Sequence, residues 1–152
     1  MRTDEAIEIV REHAATCGVP WGRVVHVRKR RAWWFIRVLG YEVEVDTGRG
    51  PFRAIVPTSW ASISHCDFEP TDPNDFLIPP WLTCPFFINS VSIYWKMGHG
   101  EHYLYRRWLP WFRALSPERQ AEYRWRFPVS AREGWDWFWE AVGLRERSDH
   151  PS

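Results

Sequence analysis

Twelve tryptophans in 152 residues are the constraint that any fold of this chain has to meet. Each indole buries on the order of 150–250 Å². At about 25 cal/mol per Å² that is several kcal/mol apiece, as an upper bound. A chain of this length builds one core, and folding hides roughly 68–70% of the unfolded surface. Such a core has no room for twelve indoles. Some are therefore expected at a groove or a partner surface, where a ring with apolar faces and a polar N–H is useful.

The remaining composition limits the function classes. Hydrophobic residues make up 45% of the chain, enough for a core without metal or disulfide staples. Net charge is +1, so no whole-molecule field draws the chain to nucleic acid or to a membrane. Charge is nevertheless uneven: Arg23, Arg28, Lys29, Arg30, Arg31 and Arg37 form a basic block, and Glu42, Glu44, Asp46, Asp67, Glu69, Asp72 and Asp75 an acidic one. The three cysteines, Cys17, Cys66 and Cys84, contain no CxxC pair, which fits thiols acting as small core residues in a reducing compartment. The charged N-terminus is no signal sequence, and no apolar run reaches the ~20 residues of a membrane span. The expectation is a soluble, cytoplasmic protein with no membrane contact.

Periodicity predicts an α+β domain over 1–152. Residues 4–17 read as a helix capped by Thr3 and stopped by Gly18, with Ala6, Ile7, Val10, Ala14 and Cys17 on its buried face. Segments 24–28, 33–38, 41–46 and 52–56 read as strands, with a hairpin turn or a continuous strand at the basic stretch and a fifth strand within 86–94. In 41–46 the alternation puts Tyr41, Val43 and Val45 on one face and Glu42, Glu44 and Asp46 on the other. Residues 57–90 read as an irregular, Pro-rich aromatic loop, ordered because its aromatic rings need burial. Over 99–143 the chain is helical: 101–109, then a helix from Ser116-Pro117 to about Phe127, then a helix from the capping box Ser130–Glu133 to Val142 before Gly143. The expected architecture is an N-terminal helix, a mostly antiparallel sheet of four to five strands, and C-terminal helices packed on that sheet.

Few motifs carry chemistry. His99 and His102, with Glu101 between them, are a weak metal candidate whose spacing departs from HExxH. No nucleophile signature, P-loop or GxGxxG occurs, so no catalytic residue is assigned and no cofactor is called for. His65 and Cys66, adjacent in an extended segment, point to opposite faces, and Cys66 reads as packing. Arg28, Arg30 and Arg31 followed by Trp33 and Trp34 could track single-stranded nucleic acid by phosphate contacts and stacking. The competing reading pairs these arginines with Glu42, Glu44 and Asp46 across the sheet. The C-terminal third concentrates Trp and Arg, the residues of interface hot spots. Trp125, Trp137, Arg124 and Arg126 are the expected partner-binding residues, with Asp67, Asp72 and Asp75 offering an acidic strip to a basic partner.

A helix ending at Gly18, then strands, then Tyr41-Glu42-Val43-Glu44-Val45-Asp46-Thr47-Gly48-Arg49-Gly50 resembles the helix-plus-hairpin unit with a V-D-x-x-T-G turn of PepSY-like and cystatin-like domains. Some immunity proteins of bacterial polymorphic toxin systems share this layout. Here Asp46 runs into Thr47-Gly48 without the two-residue spacer. The resemblance covers residues 4–56 and implies a non-enzymatic binder or inhibitor of a toxin or other effector, with no functional residue carried over. A protein-binding module is thus the expected function, with a nucleic-acid binder and a metal enzyme around His99 and His102 as alternatives.

Overall fold

A computed structural model of the chain describes residues 1–31, 38–60, 62–85, 93–129, 135 and 138–143. It divides into two compact units, Met1–Phe86 and Phe87–Ser152. The first holds an N-terminal helix and a four-stranded antiparallel sheet, the second the C-terminal helices, as the α+β reading expects.

Helix α1 spans Thr3–Thr16. Its cap position is Arg2, not Thr3: the Glu5 carboxylate reaches back to the Arg2 N–H (2.9 Å) and to its Nε (3.1 Å), which satisfies the first turn without a hydroxyl. Gly18, at φ 67°, ends the helix, and the Val19 N–H returns to the Ala14 carbonyl. Ala6, Val10, Ala14 and Cys17 are buried as the periodicity predicts, and Ile7 is half-buried.

The sheet is a meander, β1 (Arg23–Arg31), β2 (Val38–Asp46), β3 (Pro51–Pro57) and β4 (His65–Phe68), each antiparallel to the next. The basic stretch is not a turn but the second half of β1, with Lys29 opposite Tyr41 and Arg30 opposite Gly40. The expected strand 33–38 falls outside the described residues except for Val38, which opens β2. One face carries Tyr41, Val43, Val45, Phe52, Ala54, Val56, Cys66 and Phe68, all buried in one core with α1. The Tyr41 hydroxyl donates to the Met1 carbonyl (3.0 Å), fixing the helix start over the sheet.

The irregular loop expected over 57–90 contains two short elements, β4 and α2 (Pro80–Thr83), with Pro80 at the start of α2. β4 alternates, with Cys66 and Phe68 buried between His65 and Asp67, but at four residues it is too short to stand out in the Pro-rich stretch. Its neighbour strand closes through a tight turn: Thr47 and Asp46 bond Gly50 O and Gly48 N, while Thr71 N–H and Oγ1 both donate to the Arg49 carbonyl. Asp75 pairs with Arg49, so segment 69–75 is strapped to the β2–β3 turn.

In the second unit, Ile93–Lys96 form a 3₁₀ turn, which corrects the expectation of a strand through Ile93 and Tyr94. Residues 86–92 lie outside the described set. Then come α3 (Gly98–Glu101), π-helical turns over His102–Trp108, and α4 (Leu109–Ala114). His99 stands in α3. The Leu109 N–H bonds to the Leu104 carbonyl, five residues back. A proline at 110 cannot donate, and its ring would clash with the carbonyl four residues earlier in an α-helix. Wider turns just before it remove the clash. The buried residues Tyr103, Leu104, Trp108, Leu109 and Phe112 line one side of this run, with the pair 103–104 followed five residues on by the pair 108–109. Helix α5 (Pro117–Arg126) starts as the sequence predicts: Ser116 Oγ accepts from the Arg119 N–H, and Pro117 takes the first position. Helix α6 (Phe138–Ala141) is followed by Gly143 at φ 70°; the capping box at 130–133 lies outside the described residues.

Candidate functional site

The aromatic rings of the second unit sort by helix face. Trp108 is stacked on Phe112 (5.1 Å, 15°) and donates its Nε1–H to the Tyr123 hydroxyl (2.8 Å). Trp135 and Phe138 are buried beside them, and Trp95 meets Trp135 edge-on at 5.6 Å. Tyr123 therefore anchors α5 inward. Trp125, two residues and roughly 200° further round the helix, is 84% exposed, the most exposed large apolar residue described. Arg126 is also exposed, its guanidinium 5.4 Å from the Phe127 ring centre. Arg124 is turned the other way, 4.1 Å over the Trp139 ring, and serves packing through a cation–π contact. Of the expected patch, the structure brings Trp125 and Arg126 to the surface together. Trp137 lies outside the described residues.

The second face of the sheet carries charge in an order set by register. Arg28 stands across from Glu42 and Arg23 from Asp46. Glu44 accepts from Arg53 of β3 (3.4 Å), and Asp67 of β4 is opposite Arg53. These are the cross-strand neighbours that the charge pattern suggests, but Arg23, Arg28, Lys29, Arg30 and Arg31 form no ion pair with any described residue. Arg30, Arg31, Leu39, Ile55 and Trp60 line a hollow of about 340 Å³. Trp60 is 44% exposed there, and Leu39 is exposed too. At the other end Glu44, Asp46, Val25, Pro51 and Thr71 line a hollow of about 500 Å³. The face is thus basic at one end and acidic at the other. Trp33 and Trp34 lie outside the described residues.

The acidic loop is spoken for internally. Asp75 is paired with Arg49, and Asp72 accepts from the Asn74 backbone and side chain (2.8 and 2.9 Å) in an Asx turn. Asp67, opposite Arg53, stands on a strand and apart from these two.

His99 and His102 are both exposed and do not join a third His, Cys, Asp or Glu among the described residues. A different set does come together. His13 of α1, Cys17 at its C-terminal cap and Cys66 of β4 place their ligand atoms within 4.8 Å of one another. His13 Nε2 lies 2.9 Å from the Leu82 carbonyl, and the Cys66 thiol points to the same oxygen (3.5 Å). Cys84 is also buried, with His65 Nδ1 3.1 Å from its sulfur. The hydrogen bond from Cys66, helped by His13 against the cost of burial, pulls the Cys17 thiol down to about 6. Burial and the neighbouring Cys17 push Cys66 well up. His13 is raised: burial opposes its charged form, but the hydrogen bond and charge of Cys17 outweigh it. Sequence reasoning places Cys17 and Cys66 as core packing. The signal it passes over is the four-residue spacing of His13 and Cys17, which puts both on one helical face.

No protein-family model, curated protein or solved structure matches the chain. Among the described residues, no helix is long and apolar enough to cross a membrane.

Proposed function

We propose that the chain is a non-enzymatic protein-binding module, an immunity- or inhibitor-type protein that blocks a partner by covering it. The observation that carries this reading is Trp125. In a unit that buries Trp95, Trp108 and Trp135, an 84% exposed indole on a capped, internally anchored helix is a ring held ready for contact. Desolvated Trp and Arg are the side chains whose truncation costs most at interfaces. With Arg126 beside it, Trp125 suits an apolar pocket rimmed by carboxylates. The two oppositely charged ends of the sheet face favour one orientation on approach.

Affinity capture with the wild-type chain should recover a protein in stoichiometric amount. Trp125→Ala and Arg126→Glu should each weaken its capture at least tenfold while leaving the circular dichroism spectrum unchanged. Equal recovery by wild type and both variants, or recovery of nothing stoichiometric, refutes the assignment.

A second reading, single-stranded nucleic-acid binding, draws on a separate observation. Arg30 and Arg31 line a hollow with Trp60, next to Arg28 and Lys29, none of the four cations being in an ion pair with a described residue. Phosphates on the guanidinium groups and a base on the indole would use that arrangement.

A further inference from the structure

We propose that His13, Cys17 and Cys66 form a buried binding site for one Zn²⁺ ion. Their ligand atoms already lie within 4.8 Å of one another. Tetrahedral zinc, at about 2.0–2.3 Å from nitrogen and sulfur, holds such ligands roughly 3.4–3.8 Å apart, so small rotations of the two thiols close the site. Imidazole and thiolate together select zinc over the hard cations, which prefer oxygen.

The surroundings fit the ion as well as the ligands do. A carbonyl only accepts, so His13 Nε2, 2.9 Å from the Leu82 oxygen, carries the proton and Nδ1 keeps the lone pair that a metal needs. A metal-bound histidine is usually oriented by such a bond from its other nitrogen to a carbonyl or carboxylate. Cys17 is 3% exposed and Cys66 is fully buried, so any charge placed here has to be compensated locally. In the bound form both cysteines are thiolates and the ligating nitrogen of His13 carries no proton, so binding displaces protons from the cluster to solvent, and the two thiolates cancel the charge of the ion. Cys84, also fully buried, is not one of the three: its sulfur lies 3.1 Å from His65 Nδ1. The ligands come from the C-terminal end of α1, with Cys17 just after it, and from β4, while Leu82, whose carbonyl meets His13, is in α2. One ion would therefore tie together segments of the first unit that lie far apart in sequence.

The test uses the full-length chain, reduced and freed of metal with a chelator, then titrated with Co²⁺ and Zn²⁺. Co²⁺ should bind one per chain, with thiolate-to-cobalt charge-transfer absorption and tetrahedral ligand-field bands. Zn²⁺ should bleach those bands at one equivalent and raise the melting temperature. Cys66→Ser and Cys17→Ser should each lower affinity by more than the about 10–100-fold that loss of an outer-shell partner costs. His102→Ala should change nothing. Titrating wild type itself keeps the outcome independent of whether the serine variants fold. The proposal falls if the reduced wild type shows no thiolate–cobalt band. It falls equally if the band survives both serine substitutions, if His102→Ala removes it, or if Cys17 and Cys66 are recovered as a disulfide from reducing lysate.

Discussion

At the scale of single residues, the Trp108–Tyr123 pair and Trp125 are opposite uses of aromatic side chains on the same few helices. Trp108 is fully buried and gives its indole N–H to Tyr123, also fully buried. Tyr123→Phe keeps the ring and removes that acceptor, leaving a donor with no water to turn to. The expected cost is about 1–3 kcal/mol, read as a lower urea midpoint with an unchanged slope. Trp125→Phe, at an exposed position, should stay within about 0.5 kcal/mol of wild type. Equal effects of the two substitutions would contradict the burial described. The sequence contains the reason for exposed indoles, since twelve exceed what one core hides, and the concentration of Trp and Arg in the C-terminal third points to Trp125. It does not show that Arg124 folds back over Trp139, because that contact joins α5 to a residue fifteen positions away.

Among the elements, the β2–β3 turn shows how finely position matters. Gly48 and Gly50 both have positive φ, 75° and 134°. A Cβ at Gly48 would meet nothing within 4 Å, whereas one at Gly50 would lie 2.0 Å from the Glu69 carbonyl oxygen, at the start of the strap that Arg49 and Thr71 hold down. Gly48→Ala should cost about 1–2 kcal/mol from backbone conformation alone. Gly50→Ala adds overpacking to strain, for about 2–5 kcal/mol. Chemical unfolding of the two variants checks the order, and a Gly48 variant less stable than the Gly50 variant would overturn it. Helices α1 and α5 and strand β2 were legible because periodicity, caps and strict alternation agree with one another. β4 was not, since its alternation lasts only four residues. The π-helical turns were not either, because Leu104, Trp108 and Phe112 recur at four as in any α-helix, and the five-residue hydrogen bond from Leu109 to Leu104 leaves no mark on that spacing. The His13–Cys17–Cys66 cluster escaped for a related reason: on its own element each member looks like ordinary core, and only the closure of β4 beneath α1 shows them as a set.

Over the whole molecule, twenty basic and nineteen acidic side chains leave a formal charge of +1, so polyanion binding would have to come from one strand rather than from a global field. Up to four phosphates could be neutralised by Arg28, Lys29, Arg30 and Arg31. For single strands the logarithm of affinity then falls with the logarithm of salt at a slope of roughly −3. Anisotropy of a labelled oligonucleotide from about 50 to 200 mM salt measures it. A slope near zero, or one unchanged by reversing the charges of Arg30 and Arg31, eliminates the nucleic-acid reading and leaves the protein partner. The α+β class and the order helix, sheet, helices emerged from the distribution of periods along the chain. The division at residue 86 did not, because the aromatic loop before it shows no break in composition or pattern at that point.

All three thiols of this chain are sealed from solvent in the native state. A cysteine introduced on the surface would therefore be the sole address for a maleimide dye, giving a uniformly labelled probe without deleting any native sulfur. The same concealment makes the native thiols a clock: the rate at which they begin to react reports how often the first unit opens.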